Sequence, residues 1–291
     1  MSKRQKPPRA NGAREPKVRD VFVGRPFQGL PDEAEWVALR ELVPAATAKL
    51  RLLPEYTEKY GDREVTLATV LPLAWPALTK PDGRIFLGLQ RGTQSGDVNR
   101  DIALSLLLAL EAPLGGPVAV PPLPGVGPRL ADVIEPDPIE VTVQDGFDFW
   151  LDEESSDPEV RESLERANAS IFPTVRMSAA PAAYWCRFPE KAHVRWVLGD
   201  DEDKAMAALS RLSAAGDLTL GDSTKFAGMF RAHGLLVPVW DLPREPEASE
   251  WEPAVSAFAQ RYATALADTS ELDAAARRSR QGLLGRQLTL R

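Results

Sequence analysis

The chain has 291 residues, 44% of them hydrophobic, and its 35 Lys or Arg against 42 Asp or Glu give a formal charge of −7. That balance belongs to a folded chain of one large or two ordinary domains and argues against global disorder. One cysteine and two histidines exclude a disulfide framework and a Cys/His zinc site, and no run approaches the roughly 20 apolar residues that span a bilayer.

The charge is unevenly laid out. Residues 1–20 carry seven basic side chains (Lys3, Arg4, Lys6, Arg9, Arg14, Lys17, Arg19) against Glu15 and Asp20, a net +5. Residues 277–291 hold five arginines and no acid, another +5, which leaves 21–276 at −17. With three prolines and almost no apolar content, 1–20 is expected to be a disordered basic arm. It has no apolar signal core, so the expected setting is the cytoplasm.

The first expected element is a helix over LPDEAEWVALRELV, with Asp32 as cap, Glu35 completing a capping box, and Trp36, Leu39, Leu42 and Val43 on one face. VTLATVLPLAWPAL and RIFLGL read as a hairpin turning at Pro81-Asp82-Gly83, followed by a helix over DVNRDIALSLLLALE. Residues 113–138 contain eight prolines and four glycines, which reads as a linker between two halves, 21–112 and 139–268. In the second half IEVTV and FDFWL read as a hairpin around Asp145-Gly146, followed by a helix that Asp157 can cap. AAYWCRF and HVRWVL form the next pair, then a helix ending at Gly216. KFAGMFRA and LLVPVW form the last pair, turning at His233-Gly234, before a helix with a capping box at Ser249 and Glu252. Residues 269–291 read as a short helix and a basic tail.

Trp150, Trp196 and Trp240 fall 46 and 44 residues apart, each on the second strand of an expected hairpin, as in a repeated unit. The expected fold class is therefore α+β: repeated strand–strand–helix units, antiparallel sheet with helices packed on it, and flexible basic termini.

The chemistry-bearing residues are sparse. Cys186 shares a strand face with Tyr184 and Phe188, which reads as a buried thiol; as a nucleophile it would need His193, seven residues on across the hairpin. His233 reads as a turn residue, with Arg231 and Asp241 near enough in sequence to join it in a polar site. Trp185 and Trp196 read as core residues, or, if exposed, as stacking platforms for a base or anchors for a peptide. The run Asp200-Asp201-Glu202-Asp203 lacks the alternation and glycine of a calcium loop and reads as a helix start. Gly125-Val126-Gly127 is followed by proline and lacks the strand-to-helix setting of a phosphate cradle, and Gly88, Gly92 and Gly96 read as loop punctuation, so no nucleotide is expected, nor any metal or other cofactor. The basic arm, through Lys3, Arg4, Lys6 and Arg9, is the expected place for any nucleic-acid or ribosome contact, because the −17 body repels phosphate.

Several stretches together resemble a known family: RPFQGLPDEAEWVALRELVPAATAKL, TLATVLPLAWPAL, SGDVNRDIALSLLLALE, SLERANASIFPTVRM, AAYWCRFPEKAHVRWVL, FRAHGLLVPVWDLP and the GRQLTLR end. The chain resembles, from about Arg25 onward, an actinobacterial family catalogued as domain of unknown function 5926. Some members carry ahead of this region a Cys-rich zinc motif like that of the preprotein translocase ATPase, and bear translocase labels. Residues 1–24 hold no cysteine or histidine, so neither the module nor the label carries over.

The resemblance implies no activity and no catalytic residue. The leading expectation is a non-enzymatic adaptor that meets an unidentified protein partner of the translation or export machinery through its tails. An enzyme using Cys186, His193 or the His233 neighbourhood is the alternative, and a peptide-holding sheet with exposed tryptophans is a third.

Overall fold

The structure, a computed structural model, describes residues 18–150 and 158–285. The arm residues Lys3, Arg4, Lys6 and Arg9, the expected cap Asp157 and the last six residues lie outside them.

The first half begins with α1 (Glu33–Glu41), β1 (Ala46–Leu50), α2 (Pro54–Tyr60), β2 (Val65–Val70), β3 (Ala77–Thr79), β4 (Ile85–Gln90) and α3 (Val98–Glu111). Two short strands, β5 (Gly116–Pro117) and β6 (Thr142–Val143), complete a six-stranded sheet in the order β5-β3-β4-β2-β1-β6. The second half holds α4 (Pro158–Ala169), β7 (Thr174–Arg176), β8 (Ala183–Arg187), β9 (Ala192–Trp196), α5 (Glu202–Ala215), β10 (Lys225–Ala232), β11 (Leu235–Leu242), α6 (Ala248–Ala267) and α7 (Ala274–Leu284). Its five strands form an antiparallel sheet in the order β10-β11-β9-β8-β7. The α+β class is as the sequence indicates, and β8-β9-α5 and β10-β11-α6 are two true hairpin–helix units.

Two expected hairpins come out differently. The turn at Pro81-Asp82-Gly83 joins β3 to β4, whereas β2 lies on the other side of β4 and runs parallel to it. Pro72 and Pro76 deny the chain two ladder donors, and Leu73 and Ala74 take left-handed conformations (φ 52° and 51°) that reverse it between β2 and β3. The second difference concerns Trp150. Thr142 and Val143 pair with β1, and Asp148–Trp150 folds as a single 3-10 turn rather than a strand. The indole of Trp150 donates to Val70 O at 3.0 Å and packs with Phe147, Phe86 and Leu78 on the outer face of the first sheet. Its spacing from Trp196 and Trp240 therefore marks no repeat.

Residues 113–138 are not a free span. Val118, Leu130, Val133 and Ile134 are buried, Val118 N–H donates to Ala77 O, and Leu53 N–H donates to Val133 O. Prolines keep the segment extended while its few branched apolar residues anchor it along the first sheet.

Three buried clusters hold the molecule together. The largest gathers Trp36, Val37 and Leu39 of α1, Leu67, Leu87 and Ile102 with Tyr184, Phe230, Leu235 and Val237, so both sheets share one core through α1. Alternation on the strands sends Trp185, Val194, Trp196 and Trp240 to the opposite face, against Leu209 of α5, Phe258 of α6 and Leu283 of α7. Trp240 meets Phe258 edge-on at 4.8 Å and donates its indole N–H to Leu218 O. The third cluster is the one around Trp150.

The capping grammar at α1 and α6 is also rewritten. Asp32 stands at the α1 N-cap in a left-handed conformation and makes no cap bond; its carboxylate accepts Ile139 N–H instead. Glu35, expected in a capping box, is 2% exposed and joins the two halves. Its Oε1 accepts from Arg176 Nε (2.9 Å) and Nη2 (2.6 Å) and from Ala182 N–H (2.9 Å), and its Oε2 from the Tyr184 hydroxyl (2.7 Å). The Tyr184 phenol is pushed well above its ordinary range by burial, reinforced by the Glu35 charge. On α6 the box is Glu247 with Glu250, while Glu252 accepts Ser178 N–H and Ala179 N–H.

Candidate binding site

The residues singled out in the sequence fall into separate places. Cys186 and His193 are direct cross-strand partners on β8 and β9, and Asp241 of β11 completes the row. His193 Nδ1 lies 3.0 Å from Asp241 Oδ1, whose other oxygen accepts from Lys191 Nζ at 2.7 Å. Burial pushes the Cys186 thiol up to about 11 and holds His193 below its usual value despite Asp241. The row therefore presents a protonated thiol and a neutral imidazole, the opposite of what nucleophilic cysteine chemistry requires. Cys186, 4% exposed, should react with a thiol reagent such as DTNB no faster than the chain unfolds. Rapid labelling of the native protein would contradict the burial.

Arg231 does not join Asp241. It pairs with Glu202 at the head of α5 at 2.7 Å, and the neighbouring Asp201 caps that helix with bonds to Asp203 and Lys204 N–H, as the acidic run suggested. His233 and Gly234 take φ of 47° and 81°, the backbone of a tight two-residue hairpin turn. His233 Nε2 sits 2.8 Å from Glu41 Oε1, and this hydrogen bond lowers the Glu41 carboxyl. Trp185 and Trp196 are buried, so neither is available as a platform.

A different set of residues converges at the N-terminus of α3. Asp97 caps the helix by accepting Arg100 N–H at 3.2 Å, and its second oxygen accepts from Arg129 Nη1 at 2.6 Å. Arg129 reaches Pro26 O with its other nitrogen, fixing the incoming N-terminal segment. One turn into the helix, Asp101 holds the preceding loop: it accepts Ser95 N–H and the Ser95 hydroxyl, both at 2.8 Å, and pairs with Arg91 Nη2 at 2.6 Å. Arg40, at the end of α1, donates to Leu89 O and Gln94 Oε1 and adds a further cation to this buried layer.

Above the layer opens a cleft of about 490 Å³. Its walls are residues 18–21, Ser95 and Asp97 of the loop before α3, residues 124–127, and Arg129. Arg100, on the third position of α3, points back toward the helix start as helical side chains do, and lines the cleft. It is 7% exposed; Nε and Nη2 make only long contacts to Gly125 O (3.3 Å) and Pro124 O (3.4 Å), and Nη1 has no partner among the described residues. Burial holds its pKa below the ordinary arginine value, with Asp97 and Asp101 acting the other way. The absence of a side chain at Gly127 makes room for it: a Cβ there would come within 2.2 Å of Nη2. At the rim, Gly96 N–H already accepts an anion as partner, donating to Asp20 Oδ1 at 2.7 Å. Val18, Val21 and Val126 on the rim, and Phe22 beside it, are exposed apolar side chains.

The sequence reading passed over this site. Gly96 reads as loop punctuation and Gly125-Val126-Gly127 as no phosphate cradle, while Arg100 falls inside an expected helix with no role of its own. The available signal was the SGDVNRD stretch, which crowds an Arg between two Asp at a helix start.

Among known families, the model described as "Family of unknown function (DUF5926)" matches residues 26–291. No curated protein and no solved structure matches the chain.

Proposed function

The chain belongs to that family of unknown function, and from this premise we propose that it is a cytoplasmic binding or adaptor protein whose partner is anionic. Val18 lines the arginine-bearing cleft, and the basic residues 1–17 directly precede it in the sequence. That juxtaposition carries the reading. Those seventeen residues carry six cations, Lys3 to Lys17, the kind of charge that attracts an anionic partner. No described helix is long and apolar enough to cross a membrane. The translation and export machinery supplies the first partners to test, since ribosomal surfaces are phosphate-rich and short basic arms bind them by counterion release.

The test is affinity purification with mass spectrometry from the native host, comparing the full chain with a full-length variant carrying Gln at Lys3, Arg4, Lys6 and Arg9. The variant should lose its salt-sensitive partners. Recovery of every partner at undiminished yield would sink the arm-mediated reading.

A further inference from the structure

The cleft at the head of α3 has the chemistry of a carboxylate seat beside apolar ground, and we propose that it binds an acidic peptide segment, with Arg100 receiving a carboxylate and Val18, Val21, Phe22 and Val126 contacting neighbouring apolar side chains. The inference rests on the binding-protein reading above and specifies the ligand of the cleft.

Four observations support it. Arg100 is more than nine-tenths buried, lines the cleft, and keeps one guanidinium nitrogen without a partner. Among the described residues its guanidinium is otherwise held only by carbonyl contacts at 3.3 and 3.4 Å, and an incoming carboxylate offers a shorter, charge-assisted bond in their place. The α3 N-terminus contributes the positive end of its dipole at the same spot. The rim already takes one carboxylate, that of Asp20 on Gly96 N–H. Finally, Phe22 and Val126 are 86% and fully exposed, large apolar surface beside a charged cleft.

The charge layout selects a peptide over a nucleic acid. Arg19, Arg100 and Arg129 face the cleft against Asp20 and Asp97, and Asp97 is committed to Arg129 and the helix cap. The positive excess is local, within a body at −17. An extended phosphate backbone would run from the cleft onto repulsive surface, whereas a peptide presents its carboxylates only where the cations are. The apolar rim likewise suits Leu or Val side chains better than phosphates.

The experiment uses the full-length chain and a fluorescein-labelled peptide of alternating Leu and Glu, its Gln-for-Glu counterpart, and a single-stranded RNA oligonucleotide of equal charge, followed by anisotropy at physiological salt. The Glu peptide should bind and the Gln peptide should not. Arg100→Gln should weaken binding about tenfold or more, in line with loss of one charge-assisted bond. Asp20→Asn keeps an acceptor for Gly96 N–H but removes a competing charge, so it should tighten binding; opposite signs in the two variants distinguish a site effect from damage to the fold. Hydrogen exchange should slow in residues 95–100 and 125–127 when the peptide binds.

Equal binding of the Glu and Gln peptides would overturn the proposal. So would unchanged affinity in both variants, or tighter RNA binding that competes with the peptide. If instead the arm variant retains all native partners, the arm-mediated reading fails, and the two failures are told apart by which variant is silent.

Discussion

Glu35→Ala is expected to lower the stability of the chain by about 3 kcal/mol, read as a shift in the urea midpoint, because it breaks a buried ionic junction. The carboxylate is 2% exposed and satisfies four donor contacts from three residues of the second half. Removing it strands the Ala182 N–H and the Tyr184 hydroxyl, both buried, at a cost of about 1–3 kcal/mol for each unsatisfied group. Arg176 suffers less, since 41% of its side chain remains exposed and can hydrate. Arg176→Ala should therefore cost less than Glu35→Ala, and the double variant should cost well below the sum of the two single changes, the difference being their coupling energy. A Glu35→Ala midpoint within experimental error of the parent would refute the junction as a determinant of stability. Because Glu35 and its partners sit on opposite halves, the variant should also change cooperativity: near-UV signals from the tryptophans of the second sheet should melt apart from the first half.

The same residue shows where sequence reading stops. Helices α3 and α5 were legible because Asp97 and Asp201 cap them, as the side-chain-to-backbone bonds show, and because Gly216 takes the left-handed conformation that ends α5. These are local rules, satisfied within a few residues. Glu35 satisfied the same local rule, three residues beyond Asp32, yet its carboxylate meets Arg176, Ala182 and Tyr184 more than 140 positions later. A buried long-range partner outweighs a solvent-exposed cap. Strand pairing failed for a related reason. VTLATVLPLAWPAL contains two strands, and the reversal between them rests on left-handed Leu73 and Ala74, residue types that carry no turn signal. Trp150 has strand chemistry but packs from a 3-10 turn, since a large aromatic is recruited by the nearest apolar face whatever its backbone.

The cleft illustrates the limit most fully. Asp20, Gly96, Arg100 and Gly127 are spread over more than one hundred positions, and only Gly96 and Arg100 are near in sequence. Each alone obeys a bland rule. What brings them together is the parallel pair β2–β4, which carries the chain from β4 directly to the start of α3, and the 113–138 segment, which returns across that helix end. The Leu130 N–H bond to Asn99 Oδ1 at 2.8 Å fixes the returning segment against α3.

That geometry depends on the ionic layer below, which sets the second large effect. Asp101→Ala should cost about 3–5 kcal/mol, because it leaves the guanidinium of Arg91 buried without its counter-charge. The two side chains are 5% and 3% exposed and 2.6 Å apart, and burial already depresses Arg91 below its ordinary value. Arg40 lies close enough to oppose Arg91 electrostatically, so loss of the carboxylate paired with Arg91 among the described residues leaves like charges facing each other. The Ser95 N–H and hydroxyl lose their acceptor at the same time, and the loop 91–97 loses its tether to α3. Replacing both partners, Arg91→Met with Asp101→Leu, removes the charges together and should recover most of the stability. It should not recover the loop, because the Ser95 N–H still lacks the carboxylate it donates to and the hydroxyl keeps, as a donor, only its long contact to Asp97 O. Hydrogen exchange separates the two effects: protection across 91–97 should fall in both variants, while the global midpoint falls only in the single one. An Asp101→Ala protein within about 1 kcal/mol of the parent would show that the Arg91 charge finds another partner, a cost far below that of a broken buried pair.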